Sequence, residues 1–233
     1  MNKKYFVVVD TETAGSLSEP LPFDIGWAIV DKKGTIYETF SFIVYEIFCK
    51  EKELIQTSYY HEKLPQYWQE IKSGQRQIKS FWDIRKIFLD SMKRYNITDI
   101  YAYNMNFDKK ALNCDTKKIC SPKLKNFFPK NTEFKCIWKL ACDLLMARPS
   151  YIRWAEKNGL ENAKGNLPTN AETCYKYITG NLDFEESHTG LEDVLIESAI
   201  LAKCFRQKKK MDATPKASCW QTVQKRRREM TLA

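Results

Sequence analysis

The feature that most constrains the fold is residues 5–9, Tyr-Phe-Val-Val-Val, an apolar run with no polar face. A half-buried strand alternates, and an amphipathic helix repeats every three or four residues. A short continuous run rich in β-branched residues therefore reads as a strand covered on both sides. The expected frame is a sheet between layers of helices, and 233 residues with 43% hydrophobic content are enough for one such core. "FDIGWAIV" (23–30) and "TIYETFSFIV" (35–44) read as two further strands, joined by "DKKG" as a hairpin turn.

After a stretch without clear period (45–79), Phe81, Ile84, Ile87, Phe88 and Met92 share one helical face, and Ser80 and Asp83 are spaced as a capping box. "DIYAY" (99–103) reads as a short strand running into a helix over "NMNFDKKAL". "EFKCIW" (133–138) reads as another strand, followed by the helical "KLACDLLM". Shorter helices are expected at 150–158 and 170–178. "GLEDVLIESAILAKCFRQ" (190–207) is apolar nearly all round, which marks a buried helix. No internal repeat is visible. A meander followed by alternating strands and helices predicts an α/β domain over 1–207, with a mixed five-stranded central sheet flanked by helices.

The net charge of +9 is unevenly spread. Residues 207–233 hold eight Lys/Arg against Asp212 and Glu229, so this end contributes +6 and the body only +3. With little apolar periodicity, 208–233 is expected to be a flexible basic tail, suited to nucleic acid or to a polymerase or other protein partner. The eight cysteines never form a Cys-x-x-Cys pair, and two histidines do not complete a zinc site. No secretory h-region and no bilayer-length apolar run is present. The expectation is a soluble cytoplasmic protein with reduced thiols and no membrane partner.

Asp10 and Glu12 end the first strand two positions apart and would project to one side if the strand persists through Thr11. Taken alone, such a pair is better explained by a turn cap at Asp10 and a solvated Glu12. Asp108 lies in the first turn of its helix, where acids are generally favoured. Asp193 is harder to dismiss, because it sits one turn before Glu197 in the largely buried helix and a buried carboxylate is costly without a cation or donors. His188 precedes it by five residues. Four carboxylates together would select a hard divalent cation.

These pieces occur in the order of a known family. "DTETAG", "YNMNFDKKAL" and "HTGLED" resemble the three motifs of the DEDDh, or DnaQ-like, 3′–5′ exonucleases, which have an RNase H-like fold. The resemblance covers residues 5 to about 206. It departs at Gly190, where the family usually has Ala, at Ala14, which replaces a frequent Thr, and at Ser16, where many members carry a Leu that wedges against the last base.

The resemblance implies two-metal hydrolysis at a free 3′ end, with two Mg²⁺ or Mn²⁺ held by Asp10, Glu12, Asp108 and Asp193 and release of nucleoside 5′-monophosphates. Asp10 would bridge the two cations, and His188 would be the general base. Thr11, Thr13, Leu17, Asn104 and Phe107 are the expected substrate contacts. Leu17 would take over the wedge, and Phe107 would pack or touch a base. Single-stranded DNA is the favoured substrate. RNA 3′-trimming and a non-catalytic module that binds nucleic-acid ends remain open alternatives.

Overall fold

The computed structural model describes residues 3–115, 119 and 126–232. Cys120 lies outside the described residues, and the seven cysteines within them are free thiols. The expected meander is present as β1 (Tyr5–Ser16), β2 (Glu19–Asp31) and β3 (Ile36–Val44), all antiparallel. At the β2–β3 turn the Asp31 N–H donates to Thr35 O (3.2 Å), and Gly34 takes the left-handed φ of +85°.

The sheet has six strands rather than five, in the order β4-β3-β2-β1-β5-β6. β5 (Asp99–Ala102) runs parallel to β1, β6 (Glu133–Cys136) parallel to β5, and β4 (Gln77–Lys79) parallel to β3. β4 escaped the sequence reading because three residues are too few to show a period.

The continuous apolar run has the expected cause. Val7 and Val9 join Ile25, Trp27 and Ile29 in one core, while Phe6 and Val8 join Ala28 and Val30 in the other. The first core is closed by α1 (Tyr45–Phe48), α2 (Lys52–Gln56), α3 (Leu64–Lys72), α4 (Phe81–Arg94) and α5 (Met105–Asp115). The second is closed by α6 (Ile137–Ala141), which continues as a π turn through Met146, and by α7 (Pro149–Lys157), α8 (Ala171–Thr179) and α9 (Gly190–Phe205). On α4, Ser80 accepts the Asp83 N–H (3.1 Å), and Phe81, Ile84, Phe88 and Met92 are buried.

α9 crosses β2 where both backbones are bare. A Cβ on Gly26 would come within 2.3 Å of the Gly190 carbonyl carbon, and one on Gly190 within 2.9 Å of the Gly26 nitrogen. The departure to Gly190 thus permits a crossing closer than Ala could make.

Part of the basic tail, expected as a flexible appendage, is helical. Trp220–Thr231 forms a helix, α10, with Cys219 and Val223 buried in the second core and Met230 packed against it. Those apolar residues are four and seven apart, a narrow helical stripe masked by the surrounding Lys and Arg. Gln224 reinforces the docking by exchanging hydrogen bonds with the Leu167 backbone, donating to its O (2.9 Å) and accepting its N–H (3.2 Å). Arg227 meets Glu156 (2.7 Å) and Glu161. Among the described residues no helix is long and apolar enough to cross a membrane.

Replacing Val223 with Ala is expected to cost about 1–3 kcal/mol. Hydrogen exchange should show faster exchange across α10 while β1 and β2 stay protected. Exchange in wild-type α10 as fast as in an unstructured peptide would contradict the docking.

Candidate active site

Asp10 and Glu12 leave the same face of β1, where the strand rises past the short parallel β5. Their carboxylate oxygens and those of Asp193, in the first turn of α9, lie within 4.8 Å of one another. Asp108 enters the same cleft from the first turn of α5. The cleft measures about 300 Å³ and is bordered by all four predicted acids, His188, Asn104 and Phe107.

The expected substrate contacts divide. Asn104 is exposed and Phe107 half-buried, and both line the cleft. Thr11 borders it too, but its buried hydroxyl donates to Asp108 Oδ1 (3.0 Å) and so holds a carboxylate rather than facing outward. Thr13 and Leu17 are not among the lining residues. A β-bulge between Glu12 and Thr13 breaks the alternation. Leu17, 81% exposed, sits in the turn between β1 and β2, where its carbonyl accepts from Lys110 Nζ (2.9 Å).

Several lining residues were not among those expected from the sequence. Glu197 is 2% exposed, borders the cleft, and accepts the Tyr103 N–H at Oε2 (3.2 Å). Its i+4 spacing from Asp193 was the available signal. Glu186, two residues before His188, is another acid of the cleft. Tyr60 comes from the stretch that carried no period, and it stacks on the His188 ring with centroids 4.2 Å apart and planes 12° apart.

The start of α9 is locked from below by a residue hidden in the β2 pattern. Asp24 Oδ2 accepts from the Gly190 N–H (3.0 Å), the Tyr67 hydroxyl (2.9 Å) and Arg76 (3.1 Å). Arg76 also bonds Ser41 (3.0 Å), Glu192 (3.0 Å) and Glu70. Just ahead, Lys63 Nζ donates to Ser187 O (2.6 Å), and His188 takes a φ of +52°, rare outside glycine.

Six carboxylates now crowd one cleft: Asp10, Glu12, Asp108, Glu186, Asp193 and Glu197. Burial pushes every one of them up. Asp10 and Glu197 rise well above the ordinary range, with added repulsion from neighbouring acids. Burial and then Asp193 push Glu12 up to about 9, and burial and then Glu186 push Asp193 up to about 8. Asp108 reaches about 7 by burial, held back by the Thr11 hydrogen bond. His188 moves the other way, lowered by burial and by Lys63. Asp193 Oδ1 is buried with no hydrogen-bond partner. An all-oxygen set that repels itself and holds an unpartnered buried oxygen fits a hard divalent cation.

No protein-family model and no curated protein matches the chain. Among solved structures it resembles E. coli exonuclease I. The zinc-bound complex with single-stranded DNA gives a TM-score of 0.51 at 12% identity, covering 85% of this chain and 40% of that one. The apo enzyme gives 0.51 at 14% identity, covering 99% and 47%. The complex with SSB-Ct gives 0.50 at 14% identity, covering 99% and 46%. The chain thus spans less than half the length of exonuclease I. At such identity the likeness is one of fold, and the mixed sheet with its flanking helices is RNase H-like.

Proposed function

We propose that this chain is a metal-dependent 3′–5′ exonuclease that releases nucleoside 5′-monophosphates from single-stranded DNA. The observation that carries this reading is the convergence of Asp10, Glu12, Asp108 and Asp193 beside His188 in one cleft. The likeness to exonuclease I, solved with single-stranded DNA, supports the choice of substrate.

Asp10, Glu12, Asp108 and Asp193 would hold two Mg²⁺ or Mn²⁺, which supply Lewis-acid stabilisation of the charge that builds on the phosphodiester. The remaining work falls to side chains. Glu186 Oε2 lies 3.9 Å from His188 Nδ1, and the imidazole takes the proton as water attacks phosphorus. The bond to the 3′ oxygen of the preceding nucleotide then breaks, and the terminal nucleotide leaves as its 5′-monophosphate. The Tyr60 ring and the Lys63 tether keep the imidazole at the rim. Glu186 stabilises the imidazolium that forms. Asn104 and Phe107 contact the terminal nucleotide, and Thr11 steadies Asp108.

A digestion assay on 5′-labelled DNA and RNA, with and without Mg²⁺, tests the activity. Asp10→Asn and Asp193→Asn are each expected to lower cleavage by about 10²–10³-fold with the fold intact. Undiminished cleavage by either variant refutes the assignment.

His188→Gln is expected to lower turnover by about 10²–10⁴-fold while Mn²⁺ binding survives. Because burial and Lys63 lower the imidazole, the acid limb of the wild-type pH–rate profile should lie below the ordinary histidine value. A His188→Gln profile that overlays wild type removes the base role.

Stability should depend on pH in a set direction. The raised carboxyls bind more protons folded than unfolded, so the metal-free protein loses stability as pH rises through their folded values. From about pH 4, where these acids ionise in the unfolded chain, the melting temperature in EDTA should fall, levelling off only as Asp108, Asp193 and Glu12 release their protons in the folded state at about 7, 8 and 9. Millimolar Mg²⁺ should flatten the slope. Identical slopes with and without Mg²⁺ would mean that these acids hold no cation.

A further inference from the structure

A cleft that gathers six carboxylates repels a polyanion, and the body of the chain has little net charge to offset it. Affinity for a nucleic-acid strand must come from phosphates neutralised elsewhere. Resting on the exonuclease reading, we propose that the groove along α10 binds the backbone phosphates of the strand whose 3′ end occupies the acid cleft.

The groove is a concavity of about 510 Å³ bordered by Asn166, Trp220, Gln221, Lys225 and Arg228 among others, with no acid in its lining. A second, of about 430 Å³, shares Asn166, Gln224 and Arg228 and adds Arg227. Arg226 and Arg227 are committed to Glu229, Glu156 and Glu161. Lys225 and Arg228 have no acid partner among the described residues. Two free cations, side-chain amides and the half-buried Trp220 indole are the chemistry of single-strand binding, with charge for phosphate and a ring for a base.

Groove and acid cleft are joined by a rigid strap. Asn166 lines the groove and Asn170 lines the cleft, so the connecting backbone spans at most ~14 Å. Gln224 grips Leu167 and the Tyr151 hydroxyl donates to Pro168 O. Thr169 accepts from Tyr103 at its carbonyl (2.7 Å) and from Trp138 Nε1 at its hydroxyl (3.0 Å). Asn170 then caps α8 by accepting the Thr173 N–H (3.2 Å). A strand entering the cleft meets α10 at a set distance.

The test compares wild type with the Lys225→Ala/Arg228→Ala double variant, with Ca²⁺ replacing Mg²⁺ to stop hydrolysis. Fluorescence anisotropy reads binding of a trinucleotide and of a fifteen-nucleotide strand of DNA. The longer strand should lose about tenfold or more in affinity, and its salt slope should shrink by about 1.4, or 0.7 for each phosphate contact. The trinucleotide should change less than twofold. An unchanged long-strand affinity and slope, or equal weakening of both lengths, overturns the proposal. So does an acidic peptide that outbinds the strand and loses affinity in the variant, because it assigns the groove to a protein. A wild-type protein that binds the long strand with this dependence but never shortens it keeps the groove and rejects the exonuclease reading. Shortening that is indifferent to the double variant rejects the groove alone.

Discussion

The Asp24 carboxylate, enclosed beneath the start of α9, takes donors from three directions: the first N–H of that helix, the Tyr67 hydroxyl and the Arg76 guanidinium. Burial drives its pKa upward, and those donors pull it back. The bond to Gly190 fixes where α9 begins, and that start sets the position of Asp193 one turn inside and of His188 just ahead. The bare Gly26–Gly190 crossing lets the helix descend far enough onto the sheet for Asp193 to reach Asp10 and Glu12. The acid cleft therefore depends on a buried ion pair outside it, of the kind that is costly to break by removing one partner.

The cleft itself is electrostatically unfavourable until something positive enters. Each acid lost solvent on folding, which pushes protons onto it, and all but Asp108 are also pushed up by like-charged neighbours. Thr11 and the backbone N–H of His188 offset part of this at Asp108 and Asp193, but Asp193 Oδ1 is left without a donor. A penalty that the protein offsets only in part fits a site whose stability a bound cation would complete.

Charge is divided across the molecule with a consistent logic. Acids concentrate where cations would be held, and bases concentrate on α10, where the strap 166–170 ties them to the cleft edge. The docked α10 differs from the expected loose tail because three apolar positions suffice to seat a helix once Gln224 satisfies the Leu167 backbone and Arg227 meets two glutamates. Composition averages out so narrow a stripe.

The central sheet was legible in the unbroken Tyr5–Val9 run, which reads as a strand covered on both faces. α4 was equally legible through its five-residue apolar face and Ser80 cap, and motif order singled out the four acids and His188 that border the cleft. Periodicity is a local property, and each of these elements writes it within a dozen residues. Whatever depends on distant partners was settled only by how the elements pack. Glu197 and Glu186 became part of the cleft only because α9 and its leading loop face β1. Tyr60 came to His188 from a stretch with no period of its own. The Thr11 hydroxyl is committed to Asp108 by a contact 97 residues away in sequence. Thr13 and Leu17 were carried out of the cleft by a bulge and a turn. Such placements follow from which surfaces meet, and pairing across the fold leaves no periodic trace along the chain.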